Sequence, residues 1–169
     1  MGARVLSPFA AFLGRHVDEI NDYLVSYFHD QTDNPDIEAY LYRPLGAFAE
    51  NAGKRHRPLI CMLAAQAVGG DFTGAISAAA AIEHFQSAAL IHDDIADNGQ
   101  LRRGKPCMHR TEGEGIAINC GDLALSLVTG SVLDDDSLDD AVKLRLLREL
   151  VDMTTRTIEG QALDLGWVR

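Results

Sequence analysis

The sequence predicts an all-α fold, and three observations support this prediction. Apolar residues recur three and four positions apart through most of the 169 residues, which is typical of one face of a helix. No segment alternates apolar and polar residues over a strand's length, and no Asn-Gly or Asp-Gly hairpin joins two β-branched runs. With 47% hydrophobic and 24% charged residues, the chain can bury a core.

Start and stop signals divide the chain into six predicted helices. Ser7 is predicted to be a helix cap, with Pro8 at the first helical position. Thr73 can cap the fourth helix, for which Asn98-Gly99 is the stop. Pro44 lies inside the second apolar pattern, so we expect it to kink that helix or to split it. The predicted helices cover about residues 8–30, 35–53, 59–68, 73–97, 114–133 and 140–165.

Composition and charge narrow the function classes. The net charge of -10 disfavours nucleic acid as a partner, since phosphate backbones bind basic surfaces. Three cysteines without short spacing argue against a disulfide framework or a zinc site. The apolar run at residues 78–82 is interrupted by Glu83 and His84, so no membrane span is predicted. With no secretory pattern at the N-terminus, we expect a soluble, cytoplasmic protein.

The fourth helix ends in an acidic stretch, His92-Asp93-Asp94-Ile95-Ala96-Asp97. Asp93 and Asp97 are four residues apart, so they lie on one helix face with Cβ atoms about 5–6 Å apart. Such a pair suits Mg²⁺, which is typically held by one or two carboxylates and by substrate phosphates. Asp94 points about 100° away and is predicted to be a supporting group. The plainer alternative is a solvated acidic helix end.

Neighbouring residues favour a diphosphate site over that alternative. The acidic stretch follows a strongly apolar helix, and Arg102 and Arg103 lie just beyond it. A second basic cluster contains Lys54 and Arg57. Taken singly, each basic cluster could be a solvated surface feature. Together they would provide cations for phosphate oxygens, which guanidinium groups bind in a bidentate manner.

Five motifs, in order and spacing, resemble those of the trans-isoprenyl diphosphate synthases (polyprenyl synthetases). The motifs are Gly53-Lys54-Arg55-His56-Arg57-Pro58, Glu83-His84-Phe85-Gln86, the acidic stretch, Arg102-Arg103-Gly104-Lys105-Pro106 with His109, and Gly160-Gln161-Ala162-Leu163-Asp164. The resemblance covers about residue 40 to the end. It implies that residues 1–169 are the N-terminal half of an isoprenoid-synthase-type helical bundle.

The resemblance also implies a reaction, head-to-tail condensation of an allylic diphosphate with isopentenyl diphosphate. Asp93 and Asp97 would bind Mg²⁺ on the allylic diphosphate, which Arg102 would also grip. Gln161 would line the opposite wall. Departing diphosphate would be stabilised by the metal and by basic side chains. No serine or cysteine triad is evident in the sequence.

Isopentenyl diphosphate is expected at the basic cluster. By resemblance, its diphosphate would be held by Lys54, Arg57 and Arg103. Gln86 falls where many family members have histidine and others glutamine, so it could hydrogen-bond the same group. Its alternative role is a locally satisfied helix residue. The histidines at 84, 92 and 109 are interpreted as structural or supporting, because nothing else of a zinc site is present.

The growing chain is expected to run down a cavity beside the fourth helix. Ala88 and Ala89 would form its upper wall, and Phe85, one turn deeper, could be a lower floor. A bulky residue at position 88 keeps products short in this family. We therefore expect a product of geranylgeranyl size or longer, and we expect Ala88→Phe to shorten it.

The sequence departs from the family where it stops, at Arg169. Family members continue with helices that carry a second aspartate-rich motif. The remaining acids at 134–136, 139 and 140 are interpreted as caps and solubility residues, with Ser137 or Asp139 capping the last helix. We expect a fragment of a full enzyme; a natural half and a non-catalytic binding subunit are the alternatives.

Exposed apolar faces on the last two helices predict a homodimer or a complementary C-terminal half. The non-enzyme alternative is a helical interaction module.

Overall fold

Helices dominate the computed structural model, which describes residues 8–51 and 53–167. The helices are α1 (Pro8–Ser26), α2 (Pro35–Ile37), α3 (Arg43–Glu50), α4 (His56–Ala67), α5 (Ile76–Ala96), α6 (Met108–Thr111), α7 (Glu114–Leu133) and α8 (Asp140–Trp167). Strands β1 (Leu101–Arg102) and β2 (Lys105–Pro106) pair antiparallel. The all-α prediction is confirmed, since this short hairpin is the one sheet in the described residues.

The second predicted helix continues past its internal proline because the helix type changes locally. Asn34 caps α2, because its Oδ1 accepts hydrogen bonds from the backbone N–H groups of Asp36 and Ile37. A π-helical turn, Glu38–Tyr42, then joins α2 to α3. This wider turn lies immediately before Pro44, where a regular α-helix would place the proline ring against a carbonyl of the preceding turn. The predicted split therefore takes the form of a π-turn inside a continuous helical segment.

Two of the predicted caps can be checked. The Oδ2 of Asp71 accepts hydrogen bonds from the hydroxyl of Thr73 and from the N–H of Gly74. Asp71, and not Thr73, therefore caps the short 3-10 turn (Thr73–Ala75) that precedes α5. Asp139 caps α8, since its Oδ1 accepts from the N–H of Val142 at 2.8 Å. The predicted cap at Ser7 lies outside the described residues.

The core is organised around the antiparallel pair α5 and α7, the most extensively packed pair of helices. Small residues allow their close approach: a Cβ added to Gly121 would lie 2.3 Å from Nε2 of His92. By length and composition α7 could span a membrane. Here α7 packs in the core, with Ala117, Cys120 and Ala124 fully buried. Core helices of many proteins have the same length and apolar composition.

The predicted loop between α5 and α7 contains both the β-hairpin and α6. Arg103 and Gly104, at the tip of the hairpin, have φ angles of 54° and 80°. Positive φ at both central residues is the signature of a type I′ turn, whose twist matches that of paired strands. The hairpin reverses the chain so that Arg102 returns toward the end of α5.

The last helix, α8, is the least buried of the long helices. Leu150 is its one buried residue among those described. Leu146, Leu147 and Met153 complete its contact with α5 and α7. Elsewhere along its length α8 exposes large apolar side chains, as the sequence predicts for this helix. They are Val142, Leu144, Val151, Ile158, Leu163, Leu165 and Trp167.

Candidate diphosphate and metal site

The acidic stretch is shaped by a Schellman motif that ends α5. The N–H of Gly99 donates to the carbonyl of Asp94 at 2.8 Å, and the N–H of Asn98 donates to the carbonyl of Ile95 at 3.1 Å. Asn98 adopts the left-handed conformation that the motif requires, with φ of 53°. Arg110 donates hydrogen bonds to the carbonyls of Asn98 and Gly99 and so holds this turn. The end of α5 is thus fixed in position.

The three aspartates of this stretch divide into two kinds. Asp94 is buried and accepts hydrogen bonds from Arg102, with Nη2 to Oδ1 at 2.5 Å and Nε to Oδ1 at 3.1 Å. The hydrogen bond to Asp94 raises the pKa of Arg102. Asp93 is half-buried and Asp97 is exposed. The predicted separation of Asp94 from the other two acids is therefore seen in the structure, and its partner is Arg102.

Asp93 has an electrostatic environment that a cation would relieve. Burial, followed by the nearby charge of Asp97, raises the pKa of the Asp93 carboxyl. Within residues 8–51 and 53–167, no cluster of three or more metal-ligating side chains is present. Two carboxylates with no third protein ligand fit Mg²⁺, because this ion keeps waters and takes substrate phosphate oxygens as further ligands.

A small basic cavity of about 80 Å³ is lined by Glu83 and Gln86 of α5. It brings together the four predicted diphosphate ligands Lys54, Arg57, Gln86 and Arg103. Arg103 is held at this cavity by a hydrogen bond from Nη1 to the carbonyl of Asn51 at 3.1 Å. Burial lowers the pKa of Arg103; the charge of Glu83, which also lines the cavity, raises it, and the charges of Arg55, Arg102 and Arg57 lower it further. Such a concentration of positive charge favours an anionic ligand.

An apolar cavity of about 150 Å³ lies directly beneath Asp93. It is lined by Phe85, Ala89, His92, Asp93, Leu125, Thr157, Ile158 and Gln161. Phe85, Ala89 and Gln161 are thus brought together at one cavity, and their role in a chain pocket stays a prediction. The contributions of Leu125 and Ile158 were not predicted, since a position on a distant helix gives no local signal.

Ala88 occupies a different environment from the one predicted. It is fully buried in the core cluster that contains Phe28, Met108 and Cys120, whereas the cavity beneath Asp93 is lined by its neighbour Ala89. Adjacent helix residues point about 100° apart, so one position decides between core and cavity. In this structure Ala88 is a core residue between α5, α3 and α7, and the predicted effect of Ala88→Phe is revised accordingly.

The second acidic run is remote from this site. Asp135-Asp136-Ser137-Leu138-Asp139 also has the Asp-Asp-x-x-Asp spacing. Leu138 packs on the cluster that contains Ala81, which is twelve residues from Asp93 and hence about 18 Å away along α5. Asp139 caps α8 and Asp135 bonds to Ser137. Asp139 therefore has the capping role that the sequence analysis gave it.

Taken together, an acidic edge, an apolar cavity and a basic cavity around one helix suit a protein that holds diphosphates with apolar tails. Comparison with known proteins gives the same class of protein. The sequence profile of the family described as Polyprenyl synthetase matches residues 38–169. The chain therefore belongs to the polyprenyl synthetase family.

Individual relatives have the same character. A short chain isoprenyl diphosphate synthase of Methanothermobacter thermautotrophicus is 41% identical over 115 residues, which are 68% of this chain and 35% of the relative. A chloroplastic geranylgeranyl pyrophosphate synthase 9 of Arabidopsis thaliana is 42% identical over 120 residues, covering 68% and 33%. The geranylgeranyl pyrophosphate synthetase structure from Pyrococcus horikoshii is 33% identical with a TM-score of 0.85, covering 93% of this chain and 46% of that one. The chain thus spans about a third of the length of the curated relatives.

Proposed function

We propose that this chain is the N-terminal half of a Mg²⁺-dependent polyprenyl diphosphate synthase, with the second aspartate-rich half lying outside residues 1–169. The reaction would condense an allylic diphosphate with isopentenyl diphosphate head-to-tail, giving a product of geranylgeranyl size or longer. One observation carries the proposal. A single helix, α5, lines both a basic cavity, through Gln86, and an apolar cavity, through Ala89, and residues three apart lie on one face of a helix. Its C-terminal end carries Asp93 and Asp97 beside that apolar cavity.

The allylic diphosphate would bind at the acidic end of α5. Asp93 and Asp97 would hold Mg²⁺ through carboxylate oxygens, and the bound ion would offset charge on the departing diphosphate. Arg102 bonds to Asp94 through Nε and Nη2, so Nη1 can donate to a diphosphate oxygen. The apolar tail would enter the cavity between Phe85 and Ala89.

Isopentenyl diphosphate would bind at the basic cavity. Lys54, Arg57 and Arg103 would hold its diphosphate, with Gln86 as a further hydrogen-bond donor. Because Gln86 and Ala89 lie on one face of α5, subsites at these two cavities would bring the two substrates close together, which is how proximity lowers the barrier to a bimolecular reaction.

Calorimetry with an allylic diphosphate, with and without magnesium, tests the acidic subsite. Removing the Asp93 carboxylate by Asp93→Asn is expected to weaken the magnesium-dependent binding by about tenfold or more, the value of one charge-assisted contact. Asp22→Asn, which neutralises an exposed acid on α1, is the matched control and should bind as wild type. Binding that ignores magnesium, or equal losses in both variants, would refute this assignment.

We also propose that α8 meets a partner, either a second copy or a complementary C-terminal half. Four of its exposed apolar residues, Leu144, Val151, Ile158 and Leu165, are spaced seven apart, the repeat that aligns a stripe along a helix. Light scattering should find an assembly larger than one chain, and Val151→Glu should dissociate it. A monomer at high concentration would count against the partner.

A non-catalytic diphosphate-binding subunit is the second candidate, and the limited burial of α8 favours it. Such a subunit would bind both diphosphates yet give no condensation product in its native assembly. A cytoplasmic location stays a prediction; free thiols at Cys61, Cys107 and Cys120 support it.

A further inference from the structure

The side chain of Arg55 is buried at the wall of the basic cavity, which it lines together with Glu83, although it stands in a run of exposed basic residues. Only 3% of Arg55 is exposed. Its guanidinium donates to three elements: Nε to Oδ1 of Asn21 in α1 at 2.7 Å, Nη1 to Oε1 of Glu83 in α5 at 2.5 Å, and Nη2 to the carbonyl of Ala49 in α3 at 2.6 Å. The planar fork of arginine suits such a three-way connection. Its charge and donors are used inside the protein.

The backbone at Arg55 is held in an unfavourable conformation. Arg55 precedes α4 with φ of 49° and ψ of 32°, in the left-handed region. A residue with a Cβ adopts this region only where its surroundings enforce it. The three hydrogen bonds supply that enforcement, because they attach the side chain to helices on both sides of the connector.

This conformation separates the buried residue from its exposed neighbours. Lys54, His56 and Arg57 are all exposed, and all three line the basic cavity with Arg103. Like charges this close repel, and long basic side chains lose rotamer freedom when they are ordered on a ligand. A connector fixed in advance reduces that cost.

We propose that Arg55 is a positioning residue for diphosphate binding: its buried hydrogen bonds to Asn21, Glu83 and Ala49 hold Lys54 and Arg57 at the basic cavity. The proposal rests on the function proposed above and deepens it. Arg55 contacts no ligand in this role. It acts by fixing the connector from which its two neighbours reach the diphosphate.

Binding of two ligands to wild type and Arg55→Lys tests the proposal. Lysine keeps the charge but cannot reach three acceptors. We expect the Kd for isopentenyl diphosphate, measured by calorimetry without magnesium, to rise about tenfold, while magnesium-dependent binding of an allylic diphosphate stays within about twofold. Asn21→Ala removes one hydrogen bond and keeps the Arg55–Glu83 ion pair, so it should raise the same Kd by a smaller factor. If Arg55→Lys does not fold, the Kd that Asn21→Ala shows for isopentenyl diphosphate decides the test.

Two controls separate positioning from general destabilisation and from failure of the proposed function. Ile20→Val trims a core residue of α1 next to Asn21 and should lower the melting temperature without changing either Kd. Lys54→Gln removes a proposed ligand and should weaken isopentenyl diphosphate binding directly.

Each outcome then has one meaning. If Arg55→Lys weakened the binding of both ligands equally and also lowered the melting temperature, the positioning role would be overturned. Unchanged Kd values in folded Arg55→Lys and Asn21→Ala while Lys54→Gln binds weakly would overturn it as well. If wild type bound neither diphosphate, the proposed function would fail and this inference with it.

Discussion

His84 is the buried group whose protonation should govern the stability of the fold in acid. Its ring is 2% exposed and makes edge contacts with the rings of Tyr27 and Phe28, at centroid distances of 4.9 Å and 5.8 Å. Its Nε2 has no hydrogen-bond partner within the described part of the chain. Burial, and secondarily the charge of Arg55, lowers the pKa of His84 from 6.5 to about 3.

The direction of the pH effect follows from this lowered pKa. The unfolded chain takes up a proton on His84 near pH 6.5, whereas the folded chain resists protonation until about pH 3. The stability contributed by the neutral ring is therefore present above pH 6.5 and is lost as the pH falls from 6.5 toward 3. Between pH 7 and pH 5 the free energy of unfolding should fall by about 2 kcal/mol from this group.

Denaturant unfolding followed by circular dichroism at pH 7, 6 and 5 measures this loss. His84→Leu removes the titrating ring and its unpaired nitrogen, so its stability at pH 7 should lie within about 1 kcal/mol of wild type. The variant should lack the loss of about 2 kcal/mol between pH 7 and pH 5. His29→Leu, at an exposed position, should keep it. Parallel pH profiles for wild type and His84→Leu would refute the argument.

Two further predictions come from the contacts between α5 and α7 and from the apolar cavity. Gly121→Ala places a Cβ 2.3 Å from Nε2 of His92 and should be less stable than Gly115→Ala by about 1–3 kcal/mol because of overpacking. Denaturant unfolding checks this; Gly115→Ala, where nothing lies within 4 Å, is the control and should gain up to about 1 kcal/mol from helix propensity. Ala89→Phe should fill the cavity beneath Asp93 and shorten the product of the active assembly by mass spectrometry. Ala88→Phe should instead destabilise the core, and a shorter product from a stable Ala88→Phe protein would contradict this placement.

The helices were predictable where local signals act within a single turn. The predicted range 114–133 coincides with α7, since Gly113 precedes it and an acidic linker follows it. The π-turn before Pro44 was not predictable in detail. A proline inside a helix must be accommodated, but whether by a kink, a break or a wider turn depends on the packing around it.

The basic cavity shows the same limit for the site. The sequence identifies Lys54 and Arg57 as basic residues near each other, and their resemblance to a family motif predicts their ligand. It does not show that Arg55, between them, is buried. The burial of Arg55 depends on its left-handed backbone conformation and on acceptors that lie 34, 28 and 6 positions away in the chain. Such pairings leave no periodic pattern in the sequence.

The acidic stretch contains one feature that local sequence signals predict and one that depends on a long-range contact. Helix geometry alone separates Asp94 from Asp93 and Asp97, so that division was predictable. The partner of Asp94 was not, because Arg102 reaches it only through a hairpin turn with two positive φ angles. The pairing has a chemical consequence: Arg102 neutralises one of three carboxylates, and the remaining two negative charges match one divalent cation. The charge of Arg102 lowers the pKa of Asp93, whereas the charges of Asp97 and Asp94 raise it. Arg102 therefore changes the charge of the acidic edge even when no diphosphate is bound.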